Sequence, residues 1–329
     1  MRNQDVRRAA SNPSPGKASR GRPWSQWGGL LLACATLVAW SGEARAQLFI
    51  SNIGNFSNAT VSQVGLGGGA ATTYASGFTN PFGLAFDTAG NLFVSNQGND
   101  TISKVPPGGG AGTLFASSLG NPAGLAFDAA GNLYVASSNT NSVIKLTPGG
   151  VASTFATGFS APQGIVFDPA GNLYVSNIVG GTISKVGSGG GVATTFATGF
   201  VSPFGLAIDS VGNLYAVNGT TTVGKVGSGG GVATTYATGL SAPEGLVFDS
   251  ADNLYIVNAG DTTVKKVAAG GGVATTFATG FNAPKAITFV PAVTAVPEPS
   301  SLALAGVGAV VFAGAAWLRR RPRGRHVGR

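Results

Sequence analysis

The chain has 329 residues and a formal net charge of +8, yet all twelve arginines lie outside residues 47–295. That central region holds seven lysines against eight aspartates and one glutamate, a net −2, so it offers no basic face to neutralise nucleic-acid phosphates. It also lacks His, Cys, Arg, Trp and Met, which excludes a disulfide, a His/Cys zinc site, a Ser-His-Asp triad and an arginine clamp.

Residues 1–46 have the order of a secretory signal. A polar, basic stretch precedes an apolar run from Gly28 to Trp40, and Ala44-Arg45-Ala46 supplies an A-x-A cleavage site. The mature chain is expected to start at Gln47 after signal peptidase. Leu31-Leu32-Ala33-Cys34 looks like a lipoprotein cleavage box, but Cys34 sits inside the apolar run, with Ala35 to Trp40 still to come.

From residue 47 the chain repeats. A proline opens each unit, at Pro81, Pro122, Pro162, Pro203, Pro243 and Pro284, spaced by 40 or 41 residues. Gly83-Leu84-Ala85-Phe86-Asp87 recurs as Gly124–Asp128, Gly164–Asp168, Gly205–Asp209 and Gly245–Asp249. Each aspartate is followed by two residues and Gly-Asn or Asp-Asn, then by a Leu-Phe/Tyr run such as Leu173-Tyr174-Val175. A third run ends in lysine and an aliphatic residue (Ile183-Ser184-Lys185-Val186), and a fourth follows a glycine cluster (Ala193 to Ala197). Short β-branched or aromatic runs bounded by Gly, Asn, Asp and Pro are strand signals, and four per unit predict the blade of a β-propeller. Residues 47–80 carry only the last three runs and residues 284–290 only the first. The two fragments therefore predict a sixth blade that closes the ring and hides its edges.

The unit Pro162-Gln163-Gly164-Ile165-Val166-Phe167-Asp168-Pro169-Ala170-Gly171-Asn172-Leu173-Tyr174-Val175 closely resembles the NHL repeat. That resemblance covers 47–290 and implies an all-β six-bladed propeller. The sequence departs from the family pattern after the tyrosine run, where Asn52, Asn96, Ser137, Asn177, Asn218 and Asn258 replace the usual second aspartate. The third-run basic residues are lysines, never arginine, which argues against the RNA binding of some family members.

Most conspicuous motifs have structural readings. The glycine clusters have strands on both sides and no helix after them, so they are hairpin turns and not phosphate loops. The five repeated aspartates precede turns, where a carboxylate accepts backbone N–H bonds. Function is better sought where the units differ. The residue after the proline varies through Phe82, Ala123, Gln163, Phe204, Glu244 and Lys285, and these six are expected to ring the mouth of the central channel. Glu244 is the central region's one glutamate, and Glu244–Asp249 is similar to the first metal-ligand segment of gluconolactonase-like propellers. That likeness implies an alternative, a Ca²⁺- or Zn²⁺-dependent lactonase-like hydrolase with Glu244 as ligand. The competing expectation is an ion pair between Glu244 and Lys285, with no cofactor.

The C-terminal stretch has three parts in order. Pro297-Glu298-Pro299 lies in a linker (292–301), residues 302–318 form an apolar run, and Arg319-Arg320-Arg321 open a basic tail (319–329). Seventeen helical residues span about 26 Å, enough for a hydrocarbon core, and the arginines would stay cytoplasmic as a stop-transfer cluster. This layout closely resembles the PEP-CTERM sorting signal, which implies removal of the helix by a membrane-embedded exosortase. The reading as a whole is an exported, inner-membrane-anchored precursor destined for the outer membrane, cell surface or extracellular matrix. Its propeller would be a non-catalytic binding or structural module with a polysaccharide or surface-protein ligand, or a spacer with no ligand at all.

Overall fold

The computed structural model describes residues 47–54 and 59–290. The expected signal peptide (1–46), linker (292–301), membrane helix (302–318) and basic tail (319–329) lie outside them. Among the described residues every regular element is a strand, and the strands form six sheets. Blade 1 runs from the innermost Pro81–Phe86 through Leu92–Asn96 and Thr101–Val105 to Thr113–Ala116. Blades 2, 3, 4 and 5 repeat this order with innermost strands Pro122–Phe127, Pro162–Phe167, Leu206–Ile208 and Pro243–Phe248. Blade 6 is composite. Pro284–Phe289 pairs antiparallel with Gln47–Asn52, joining Phe289 to Leu48 and Ile287 to Ile50, and Thr60–Gly65 and Thr72–Ser76 complete it. The six-bladed ring read from the repeat is thus the fold observed.

The core lies between blades. Six apolar clusters each join two neighbours, as where Phe49, Val61 and Ala75 of blade 6 meet Phe86, Leu92 and Val94 of blade 1. Each is keyed by an aromatic on the second strand, held edge-on between two rings in five cases and against Phe196 alone at Tyr174. Tyr134 stands 4.7 Å from Phe155 and 4.9 Å from Phe167, a geometry worth about 0.5–1.5 kcal/mol per pair beyond area burial.

The expected four strands per blade are incomplete for five of the sheets. In these a two-residue strand from the next blade's glycine cluster adds in parallel to the outer edge: Gly191-Val192, Gly231-Val232, Gly272-Val273, Gly69-Ala70 and Gly110-Ala111. The glycines are required by close approach, since a Cβ on Gly190 would lie 2.4 Å from the Phe155 carbonyl oxygen. The clusters are therefore both hairpin turns and latches between blades. Blade 1 alone keeps four strands, because the facing loop of blade 2, Thr147–Val151, is one residue shorter than Gly187–Val192.

Candidate functional site at the channel mouth

The innermost strands run side by side around a central channel of about 80 Å³. Three rings build its wall. The deepest is aliphatic, from Leu84 on blade 1 round to Ile287 on blade 6. Above it comes a ring of five glycines and Ala286. A Cβ on Gly83, Gly124 or Gly164 would fall within 2.4 Å of the next blade's carbonyl oxygen, so glycine lets adjacent strands meet at the axis. The seams are also bridged by buried serines. Ser95 Oγ accepts from Gly83 N–H (2.7 Å) and donates to the Ala123 carbonyl (2.7 Å). Ser176 bridges Gly164 and Phe204 in the same way, and Ser51 bridges Ala286 and Phe82. These serines were invisible as a class in the sequence because Ala136, Val217 and Val257 hold the position in the other blades.

The uppermost ring holds the variable positions. In a six-fold ring Phe82 stands across from Phe204, Ala123 across from Glu244, and Gln163 across from Lys285. Phe82, Glu244 and Lys285 line the channel itself. Phe82 and Phe204 also lean on the apolar clusters of blades 2–3 and 4–5. Gln163 is buried, and its Nε2 donates to Ser138 Oγ (2.9 Å). Lys285 Nζ donates to Glu244 Oε1 at 2.6 Å, the pairing that competes with a metal at Glu244. Burial pushes the Glu244 carboxyl above its usual range, although the Lys285 charge opposes the shift. Two acceptors at this level, Glu244 Oε2 and Gln163 Oε1, are buried and have no hydrogen-bond partner among the described residues.

The repeated aspartates lie at the other end of the strands and are turn residues. Asp128 Oδ1 accepts from the N–H groups of Ala130 and Asn132, and Oδ2 accepts from Asn132 Nδ2 and Tyr134 OH. Partial burial works against ionisation of Asp128, Asp168, Asp209 and Asp249. The bonds from Asn132, Asn172, Asn213 and Asn253 outweigh it and hold all four carboxyls below the ordinary value. The third-strand lysines lie over the second-strand aromatics, with Lys266 Nζ 5.1 Å from the Tyr255 ring centre and Lys185 Nζ 5.2 Å from Tyr174. They are ring-stacked and not simply solvated.

Asn52, Asn96 and Asn177, three of the asparagines that replace the family's second aspartate, have a matching reason, whereas Asn258 Nδ2 is buried without a partner among the described residues. Asn96 Oδ1 accepts from Thr79 N–H while Nδ2 donates to Thr101 Oγ1 and Ser103 Oγ. A carboxylate cannot donate, so only the amide serves both sides. The remaining acids are engaged as well: Asp100 accepts from Asn121 N–H, Asp252 from Ser210, and Asp261 pairs with Lys265 at 2.7 Å.

Residues 295–321 match the PEP-CTERM protein-sorting motif. The C-terminus is a PEP-CTERM sorting motif. The match takes in Pro297, Glu298 and Pro299, the apolar run and Arg319, Arg320 and Arg321. The motif marks the protein as an exported, membrane-anchored precursor processed by an exosortase for the cell surface or beyond. No curated protein matches the chain. Among solved structures, the propeller is similar to a chain of the nidogen/laminin complex (19% identity, TM-score 0.63), over 75% of this chain and 98% of that one. It is also similar to virginiamycin B lyase from Staphylococcus aureus (17% identity, TM-score 0.51, 67% and 71% covered). A streptogramin B lyase matches at 16% identity and TM-score 0.53, over 61% and 69%. At these identities the likeness is one of fold alone.

Proposed function

We propose that the mature PEP-CTERM propeller is a non-catalytic binding module of the cell surface or extracellular matrix, with exopolysaccharide as its partner. One observation carries this reading. All nine carboxylates of the described residues accept at least one hydrogen bond or ion pair from the fold itself, and Glu244 Oε2, buried beside its ion pair, is the one carboxylate oxygen the fold seals off without a partner. What remains for function is the channel-mouth face, a rigid ring carrying loops that differ from blade to blade. The N-terminal segment would be removed by signal peptidase, and residues 302–318 would hold the precursor in the membrane until the exosortase cuts.

The test has two parts. Glu298→Ala should leave a larger, membrane-associated species on immunoblots of fractionated cells, and the wild-type protein should co-sediment with matrix polysaccharide. Normal processing of the variant, or a wild-type protein indifferent to polysaccharide, would remove the corresponding half of the reading. A second reading, a Ca²⁺- or Zn²⁺-dependent lactonase-like hydrolase, draws support from the unpartnered Glu244 Oε2. It requires a cation to displace Lys285 from the carboxylate. Calorimetric titration with either ion, repeated on Glu244→Ala, decides it: binding lost in the variant favours the hydrolase.

A further inference from the structure

The blades differ most on the face that carries the channel mouth, and the differences converge. The loop between second and third strands is polar in blade 1 (Gln97-Gly98-Asn99-Asp100) and blade 2 (Ser138-Asn139-Thr140-Asn141), but Ile178-Val179-Gly180-Gly181 in blade 3. Val179 is 62% exposed, and Val201, in the segment leading into blade 4, is 66% exposed. The two sit on adjacent loops, because Phe200 N–H bonds to the Gly181 carbonyl and Gly219 N–H to the Val201 carbonyl. From Val201 the chain runs three residues to Phe204 at the mouth. An apolar lip therefore leads inward over blades 3 and 4 to a polar centre made by Glu244 and Lys285.

The channel is too small for a whole ligand. About 80 Å³ compares with roughly 300–1,000 Å³ for an ordinary small-molecule pocket. Its lining runs only from Phe82, Glu244 and Lys285 down to the aliphatic ring, so the pocket at the mouth is shallow, with polar groups at its rim. The Glu244–Lys285 pair closes the mouth with a short bond of 2.6 Å. Oε2 is buried and has no partner, and Lys285, with 24% of its side chain exposed against 12% for Glu244, is the member that a ligand can displace toward water. A carboxylate freed in this way accepts two hydroxyl protons side by side, which two adjacent hydroxyls of a sugar supply.

Resting on the polysaccharide reading above, we propose that the mouth binds the end of a saccharide chain. Adjacent hydroxyls of the terminal sugar donate to the two Glu244 oxygens, the displaced Lys285 ammonium donates to a ring or hydroxyl oxygen, and the apolar face of the sugar lies on Phe204. The next residues of the chain leave across Val201 and Val179. Binding is end-on, one chain end per propeller.

End-on and side-on binding differ in what they count, and the experiment uses that difference. Polysaccharide extracted from the producing cells is presented to the processed, full-length secreted protein intact and after partial acid hydrolysis, at equal mass. Hydrolysis to chains one-tenth as long multiplies the ends tenfold. The number of propellers bound per gram should rise by about the same factor, until fragments no longer cross the lip. Glu244→Gln and Phe204→Ala should each weaken binding of the fragments at least tenfold, with thermal unfolding confirming that each variant is folded. Gln163→Ala, whose side chain bonds to Ser138 beside the mouth, is a second variant that leaves the ion pair intact and should weaken binding less. If capacity stays constant or falls on hydrolysis, or if folded Glu244→Gln and Phe204→Ala bind as wild type, end-on capture is overturned while polysaccharide binding stands. If neither intact nor hydrolysed polysaccharide binds, the parent reading fails too.

Discussion

Single residues explain why the repeat varies where it does. Five blade-to-blade connections place a glycine at positive φ just after an outer strand: Gly77, Gly158, Gly199, Gly239 and Gly280, with φ between 77° and 89°. At Gly199 the space is also taken, since a Cβ would lie 3.1 Å from Val232 Cγ1 of the latch. The sixth connection has Ser118 at φ 61°, at the seam with no latch valine to crowd it. The serine escapes the clash but still carries the left-handed cost. Ser118→Gly should therefore raise stability by roughly 0.5–1 kcal/mol, seen as a higher urea midpoint with unchanged slope. Ser95 runs the other way. It is fully buried and serves one donor and one acceptor on neighbouring blades. Ser95→Ala should cost about 2–4 kcal/mol, because both Gly83 N–H and the Ala123 carbonyl are left without partners. A loss under 0.5 kcal/mol in the same denaturation series would show that the bridge is dispensable.

At the scale of the strand and turn, the hairpin joining the first two strands is held by an ionised aspartate, and this gives a pH dependence with a definite sign. Asp128, Asp168, Asp209 and Asp249 have folded-state pKa values below their unfolded ones. Their contribution is complete above the unfolded value, near about pH 4, and is lost as pH falls through the folded values. Glu244 has the opposite sign. Its folded pKa is raised, so its ionisation subtracts stability as pH rises through that value. With Asp261, whose carboxyl partial burial raises but the hydrogen bond from Lys265 holds below its ordinary value, five depressed carboxyls outnumber one raised one, and stability should fall steeply below about pH 4. In Asp168→Asn the fall measured by urea midpoints from pH 2.5 to 7 should be shallower, with lower stability at neutral pH.

These turns were legible in the sequence because Asp, a two-residue spacer and Gly-Asn carry their own local chemistry. The latches were not, since a two-residue parallel pairing depends on how close the neighbouring blade comes, and a glycine cluster looks the same with or without it. The channel-mouth positions could be picked out as the variable column of a regular repeat. The unpartnered Glu244 Oε2 could not, because it follows from where Lys285 lands on the next blade.

The whole ring inherits an asymmetry from these parts. Five of six seams join at the axis, in the interblade core and at the outer edge, where the residue just after the latch donates to the preceding outer strand, as Ala193 N–H does to the Thr157 carbonyl (2.9 Å). The seam between blades 1 and 2 lacks the outermost join, and its edge strand Thr113–Ala116 exposes Leu114 at 70%. A closed ring opens where the fewest bonds must break, so this seam, and not the composite blade 6, should be the first to yield. Blade 6 is continuous by hydrogen bonding even though its strands come from opposite ends of the fold, and its innermost strand is pinned to Gln47–Asn52 along its length. Hydrogen exchange should accordingly be faster in peptides covering 113–118 than in the matching outer-edge peptides 72–77 and 194–199. Inserting one glycine after Gly150 restores the loop length of blade 3 and should slow exchange at 113–118 toward the other edges. If 284–289 exchanges first instead, closure by the two termini is the weak point, and the latches are secondary to it.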